Sequence, residues 1–330
     1  MDIRHDDERL TWAGAVSVEH TAGWSQAWRL PHAQIGLFPP EMLQERAAHA
    51  AGVRLAFTTD STTVAGEIEP QAELSPVDCY ANGVFVGTVH LHGGRERFAF
   101  AGLPSGEKRV ELWLPQFGFF RLRGLSLDNG ATFAAAATDT RPRWLTYGSS
   151  ITQCRTAASP SRTWPGIVAR TLGLDLTCLG FGGQCHLDPM IALLIRDTPA
   201  DLLSMCVGIN IQGANSMNIR TFRPGILGFV RIVREKHPRT PFVVMSPIYG
   251  VGREVAPNIV GLTLPEMRAE VRAAVETLRA YGDEHVHYLD GLEIFDADLA
   301  RYLPDDLHPD AEGYRVMGER MAARLGHFLP

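Results

Sequence analysis

The sequence predicts two domains of different class: an antiparallel β-sandwich over residues 1–140, then a three-layer α/β/α domain with a parallel sheet over residues 141–330. Three observations carry this. Up to about residue 140, short runs alternate apolar and polar residues with period two, as half-buried strands do. Beyond that point continuous apolar runs, of the kind buried on both faces of a parallel sheet, alternate with helical patterns. Between the two regimes Asp139-Thr140-Arg141-Pro142 reads as a linker. A chain of 330 residues is long enough for two domains with cores of their own.

In the first half, strands are expected at 12–18, 53–57, 63–68, 77–80, 84–91, 97–100, 109–113 and 120–125. Ala81-Asn82-Gly83 between two of them is a tight hairpin turn. One helical patch, residues 40–49, interrupts the series. In the second half, parallel strands are expected at 144–147, 174–179, 202–207, 242–245 and 286–289. Helical patterns lie between them at 161–172, 188–196, 221–236 and 264–282. A last helix is expected to begin at Pro309, a residue suited to a first turn, with Ala311, Tyr314, Met317, Met321 and Leu325 on one face. Five such strands covered on both sides make a flavodoxin-like domain.

Composition narrows the function. A net charge of −6 argues against a nucleic-acid partner, which selects a basic face. Lys108 and Lys236 are the only lysines, and codon bias explains that arginine excess better than a phosphate-binding surface does. No segment is long and apolar enough to span a membrane. The charged first nine residues lack the apolar stretch of a signal peptide. Five cysteines, odd in number and without CxxC spacing, read as reduced thiols, so a cytoplasmic protein is expected. Nothing in the composition bears on oligomeric state.

The chemistry centres on Gly148-Ser149-Ser150-Ile151-Thr152. A buried strand stops at a glycine, which turns the chain at little steric cost, and delivers two serines to the start of a helix. Open α/β sheets place ligands at that carboxyl edge. A nucleophilic hydroxyl needs a base, a group to orient the base, and donors for the oxyanion. His308 follows the last strand and is the base candidate. Asp305 lies three residues earlier, a spacing that makes side chains neighbours on a helical turn, so one short loop could supply both orienter and base. The same spacing in Asp2-Ile3-Arg4-His5 carries no meaning. Two segments can supply oxyanion donors: Gly180-Phe181-Gly182-Gly183 after the second parallel strand, and Gly208-Ile209-Asn210 after the third.

These motifs together resemble the SGNH, or GDSL, hydrolase family. Gly148-Ser149-Ser150-Ile151-Thr152 is similar to the family's block I, Gly183 to the block II glycine, Gly208-Ile209-Asn210 to block III and Asp305-x-x-His308 to block V. The resemblance covers most of 143–325. It implies Ser150 as nucleophile, His308 as base and Asp305 as its partner. It also implies an oxyanion hole from the Ser150 and Gly183 N–H groups and the Asn210 amide. Three positions depart from the pattern: Ser149 stands for the usual aspartate, Cys178 where block II often has asparagine, and Ile211 for the aspartate after the block III asparagine. No metal or organic cofactor is implied.

The expected activity is hydrolysis of an acyl ester, of an acetylated sugar or another small molecule, through an acyl-enzyme. Transfer of the acyl group to an alcohol of a sugar or natural product is the alternative. Two-domain relatives of carbohydrate-esterase type also carry a sandwich of jelly-roll or carbohydrate-module kind. A third reading therefore makes residues 1–140 a glycan-binding module, with Tyr80, Phe85, Trp113, Phe117 and Phe119 as stacking rings. Other readings are weaker. Gly180-Phe181-Gly182-Gly183-Gln184-Cys185 lacks the third glycine of a dinucleotide fingerprint, and there is no P-loop. His90 with His92, and His285 with His287, are pairs without further metal ligands nearby. Cys154 and Cys185 have no partner that would make a nucleophile of either, and Trp164 is expected to pack the helix after Ser150.

Overall fold

The computed structural model describes residues 1–329, which form two compact units. The first comprises Met1–Arg141 together with Ala158–Ser161 and Asp175–Cys178; the second holds Pro142–Ala157, Arg162–Leu174 and the chain from Leu179 onwards.

The first unit is built on twelve strands: β1 (Asp2–Arg4), β2 (Thr11–Ala13), β3 (Ser17–His20), β4 (Ser25–Trp28), β5 (Arg54–Thr59), β6 (Thr63–Ile68), β7 (Val77–Ala81), β8 (Val84–Val89), β9 (Arg97–Ala101), β10 (Lys108–Trp113), β11 (Arg121–Leu127) and β12 (Phe133–Ala135). They make two six-stranded sheets, β3-β4-β11-β6-β9 with β1 beside β11, and β12-β5-β10-β7-β8 with β2 beside β5. All the strand pairs of known register are antiparallel. Alternate residues of both sheets, among them Leu55, Phe57, Val64, Ile68, Val110, Leu112 and Leu122, meet in one apolar core. Asn82 and Gly83, both at positive φ, close the hairpin between β7 and β8. The helical patch is α1 (Glu41–Ala47).

The structure refines several strands. The run at 12–18 is broken at Gly14, whose φ is +80° and where a Cβ would lie 2.5 Å from the Leu176 carbonyl. Strand β4 has no apolar alternation because two of its three buried residues are polar: Ser25 Oγ meets His5 Nδ1 at 2.8 Å, and the Gln26 side-chain carbonyl accepts from Arg121 Nε at 2.9 Å. Near the linker, Asp139 accepts from Arg141 Nε at 2.9 Å and pairs with Arg109 at 3.3 Å. Burial pushes the Asp139 carboxyl up, but the Arg141 guanidinium outweighs it and brings the pKa down to about 2.

The second unit carries β13 (Arg143–Gly148), β15 (Leu202–Cys206), β16 (Phe242–Met245) and β17 (Val286–Leu289), joined in one sheet by β14 (Asp175–Gly180) in the order β14-β13-β15-β16-β17. Pairing from β13 through β17 is parallel. This 2-1-3-4-5 order is that of the flavodoxin-like layout, with the switch point beside the first strand. The helices are α2 (Ser150–Gln153), α3 (Trp164–Leu172), α4 (Pro189–Asp197), α5 (Ile209–Ala214), α6 (Ile219–Arg234), α7 (Leu264–Ala280), α8 (Gly291–Ile294) and α9 (Ala311–Leu325). Among the described residues no helix is long and apolar enough to cross a membrane.

One helix start differs from expectation. Pro309 lies outside α9, and Asp310 caps it by accepting from the Gly313 N–H at 2.8 Å. An aspartate that takes an otherwise orphaned N–H outcompetes proline's preference for the first turn.

Candidate active site

The central strand β13 ends at Gly148, and the chain enters α2 through Ser149. Gly148 is required by contact rather than by torsion: a Cβ there would lie 2.1 Å from Thr152 Oγ1, and its φ is not positive. Ser149 is fully buried and caps α2, its Oγ accepting from the Ile151 N–H at 3.2 Å. A carboxylate at that position would accept the same bond, so the serine substitutes without leaving the helix end uncapped. Ser150 is the first helical residue and is only partly buried.

Ser150 Oγ is 2.8 Å from His308 Nε2. On the other side of the ring, His308 Nδ1 is 2.6 Å from Asp305 Oδ2. The segment bearing both is a short bent loop, in which Asp306 has φ +64°. Asp305 folds this loop around itself, its Oδ1 accepting from the backbone N–H groups of Leu307 at 3.1 Å and His308 at 2.7 Å. Burial raises the Asp305 pKa, but hydrogen bonds from the His308 backbone and ring prevail and hold it below the ordinary carboxylate value.

Three outside contacts fix the loop. The Asp306 carbonyl accepts from the Val251 N–H at 3.0 Å, the Pro309 carbonyl from Thr156 Oγ1 at 2.7 Å, and the Asp310 N–H donates to the Tyr302 carbonyl at 2.8 Å. Sequence reasoning did not reach Val251, which sits in an irregular segment between Ser246 and Thr263. A buried arginine of α7 anchors that segment: Arg268 donates to the Pro247 carbonyl at 2.8 Å and holds Glu254 through two bonds of 2.7 Å.

The proposed oxyanion donors lie on loops tied to the same turn. The Phe181 N–H donates to the Gly148 carbonyl at 2.8 Å, and the Gly182 N–H to Gln153 Oε1 at 2.8 Å. Gly180 admits no side chain, because a Cβ would lie 2.5 Å from the Gln153 nitrogen. Gly183 has φ +74° and is exposed; among the described residues neither its N–H nor that of Ser150 has an acceptor. Asn210 Oδ1 accepts from the Cys185 N–H at 3.0 Å, which fixes the amide and leaves its NH2 as the free end. Gly208, before it, has φ +126°, and a Cβ there would meet Pro247 at 2.6 Å. Ile211 is buried in α5, so at this position the chain has a packing residue instead of a polar one.

Other singled-out residues fall away from this centre. All five cysteines are buried and none is in a disulfide. Burial pushes Cys79 and Cys206 up to about 12 and Cys185 higher still, so none of these three is a ready thiolate. Trp164 is buried and donates to the Ile151 carbonyl at 2.9 Å. Tyr80 and Trp113 are buried in the first unit and unavailable for stacking on a sugar; Phe117 and Phe119 pack on His49, and only Phe85 is exposed. A cavity of about 470 Å³ on the same unit is lined by Glu67, Arg95 and Arg97 and has no exposed ring. His90 and His92 lie beyond the end of β8, and among the described residues no group of three or more His, Cys, Asp or Glu side chains is placed to hold a metal.

Ser150, His308 and Asp305 are thus hydrogen-bonded in series beyond the end of the central strand of a 2-1-3-4-5 sheet, an arrangement that serine-dependent acyl-transfer enzymes use. The chain belongs to the GDSL-like lipase/acylhydrolase family, whose model matches residues 146–316. It is an enzyme of that hydrolase and acyltransferase family. Residues 10–123 match the model of the SsfX3 N-terminal domain. Across the whole chain it is similar to the salicylyl-acyltransferase SsfX3 from a tetracycline biosynthetic pathway, at 38% identity over 99% of this chain and 97% of that one, with a TM-score of 0.91. A Bacteroides ovatus protein described as a GDSL-like lipase shares the fold at 18% identity, 99% and 97% coverage and a TM-score of 0.82. A family two carbohydrate esterase from Cellvibrio japonicus does so at 15% identity, 99% and 97% coverage and a TM-score of 0.67. No curated protein sequence matches the chain.

Proposed function

We propose that this enzyme transfers an acyl group from an activated ester or thioester to an alcohol of a small-molecule acceptor, by way of an acyl-Ser150 intermediate. Ser150 Oγ attacks the acyl carbonyl while His308 Nε2 takes its proton. Asp305 holds the Nδ1–H and stabilises the imidazolium charge. The N–H groups of Ser150 and Gly183 and the Asn210 amide receive the oxyanion. His308 then protonates the leaving group. In the second half it removes the proton of the acceptor hydroxyl, which attacks the acyl-serine and regenerates Ser150.

The carrying observation is the continuous hydrogen-bonded series Ser150–His308–Asp305 in a chain that is 38% identical to an acyltransferase over 99% of its length. That likeness spans the sandwich as well, and it moves the preference from hydrolysis, the default reading of the sequence, to transfer. Hydrolysis remains the second reading, favoured by one feature: the Asp305 side chain is 55% exposed, so water reaches the edge of the site.

The test supplies a short-chain activated ester with a panel of sugar and polyketide-type alcohols and separates free acid from new ester by mass. New ester dominating in dilute acceptor supports transfer, while free acid alone across the panel supports the esterase reading. A fluorophosphonate must label the wild type and spare Ser150→Ala; equal labelling of both removes the assignment itself. Asn210→Ala is expected to lower kcat by roughly 10²–10³ with little change in KM.

A further inference from the structure

The segment between Ser246 and Thr263 is tied to both halves of the site, through Val251 to the carbonyl of Asp306 and through two side-chain bonds to α5. Arg253 lies in it. Its Nη1 donates to Gln212 Oε1 at 2.6 Å, and the Asn258 amide donates to the Gln212 carbonyl at 2.9 Å. No carboxylate of the described residues pairs with Arg253. The adjacent one, Glu254, is fully engaged by the bidentate Arg268 and the Gly250 N–H. An arginine keeps its charge at any working pH, so its Nη1 bond to a neutral amide leaves a cation without a counter-ion.

That cation faces a cavity. Gln212, Gly213, Asn215, Arg253, Asn258 and Ile259 are among the residues lining a space of about 350 Å³. Gly213 is three residues beyond Asn210 in α5, so the two share a helix face one turn apart. The guanidinium lies 3.9 Å from where a Gly213 Cβ would be. The cavity therefore begins about one turn of α5, roughly 5 Å along the helix axis, from Asn210. Ile259 at the cavity rim is 92% exposed, which gives an apolar body something to cover.

We propose that Arg253 is a specificity subsite for an anionic oxygen group, a carboxylate or a phosphate ester, carried on an otherwise apolar part of the substrate. The proposal rests on the Ser150 acyl-enzyme reading above. Arginine suits either group because its planar fork matches both geometries.

The test compares 4-nitrophenyl butyrate, which is neutral, with 4-nitrophenyl hemisuccinate, which places a carboxylate on the acyl chain. Inhibition of butyrate turnover by phenyl phosphate provides the phosphate arm. Arg253→Gln is expected to raise KM for the hemisuccinate about ten- to a hundredfold and leave the butyrate unaffected. If phosphate is the recognised group, the inhibition by phenyl phosphate is lost and the hemisuccinate does not respond. Gln212→Glu keeps the hydrogen bond to Arg253 but supplies the missing counter-ion, and it should reproduce the selective loss without removing the arginine. Equal losses on both esters would assign Arg253 to tethering the segment, and wild type indifferent to both anions would overturn the subsite. Butyrate turnover and Ser150 labelling report the parent reading, and only the anion preference reports Arg253, so the two failures are distinguishable.

Discussion

Asp305→Asn isolates what the carboxylate contributes. In the wild type Oδ1 is held by two backbone N–H groups and Oδ2 meets His308 Nδ1 at 2.6 Å. An asparagine keeps its carbonyl on the two backbone donors, which turns its NH2 toward Nδ1. The ring must then accept there and carry its proton on Nε2, facing Ser150 Oγ, where a base is needed. Restoring the useful tautomer breaks a hydrogen bond, at a cost of about 1–3 kcal/mol. The lost charge adds a second effect. A pair of charges about 4 Å apart attract by about 1 kcal/mol in water and about 4 at an effective dielectric of 20. With the aspartate side chain 55% and the histidine 31% exposed, screening puts this pair near the lower figure, about 1 kcal/mol. Together the two effects predict a fall in kcat of about 10², with KM nearly unchanged because Asp305 need not touch substrate. Steady-state turnover of an activated ester measures it, with fluorophosphonate labelling slowed in parallel. A loss under tenfold, or one confined to KM, would refute the assignment of Asp305 as the orienting group.

Two further outcomes follow from the geometry. Gly148→Ala drives a methyl into Thr152 and is expected to cost about 1–3 kcal/mol, read as a lowered urea midpoint, and to depress Ser150 labelling beyond the loss of folded protein. Asp139→Asn removes a carboxylate whose folded pKa, about 2, lies below its unfolded value. Its stabilisation, about 1 kcal/mol after discounting for solvent, is present above the unfolded pKa near 4 and disappears as pH falls toward 2, so wild-type and variant melting curves should converge over that window.

The parts of the site that could be read from sequence are those in which chemistry and position are local. Gly148-Ser149-Ser150, Gly208-Ile209-Asn210 and Asp305-x-x-His308 each sit within five residues at the end of an apolar run, and the structure places Ser150, His308 and Asp305 in one hydrogen-bonded series. What escaped depends on partners far along the chain. The bond between Val251 and Asp306 spans 55 residues, and Arg268 grips Glu254 from a different element. Neither leaves a periodic trace in an irregular segment. In the first unit, β4 was missed because it buries Ser25 and Gln26, which hydrogen bonds make tolerable and hydropathy patterns do not register. Pro309 was a plausible helix start, overruled by the capping aspartate one residue later.

The buried thiols give the molecule an internal set of unfolding reporters. A thiol reagent at neutral pH finds almost no thiolate on Cys79, Cys185 or Cys206 in the native state, so modification must wait for local opening. Cys79 and Cys178 belong to the first unit, whereas Cys154, Cys185 and Cys206 belong to the second. Their order of alkylation under mild denaturant, followed by peptide mass, therefore ranks the opening free energies of the two units in a single native sample, with no label to introduce and Ser150, His308 and Asp305 undisturbed.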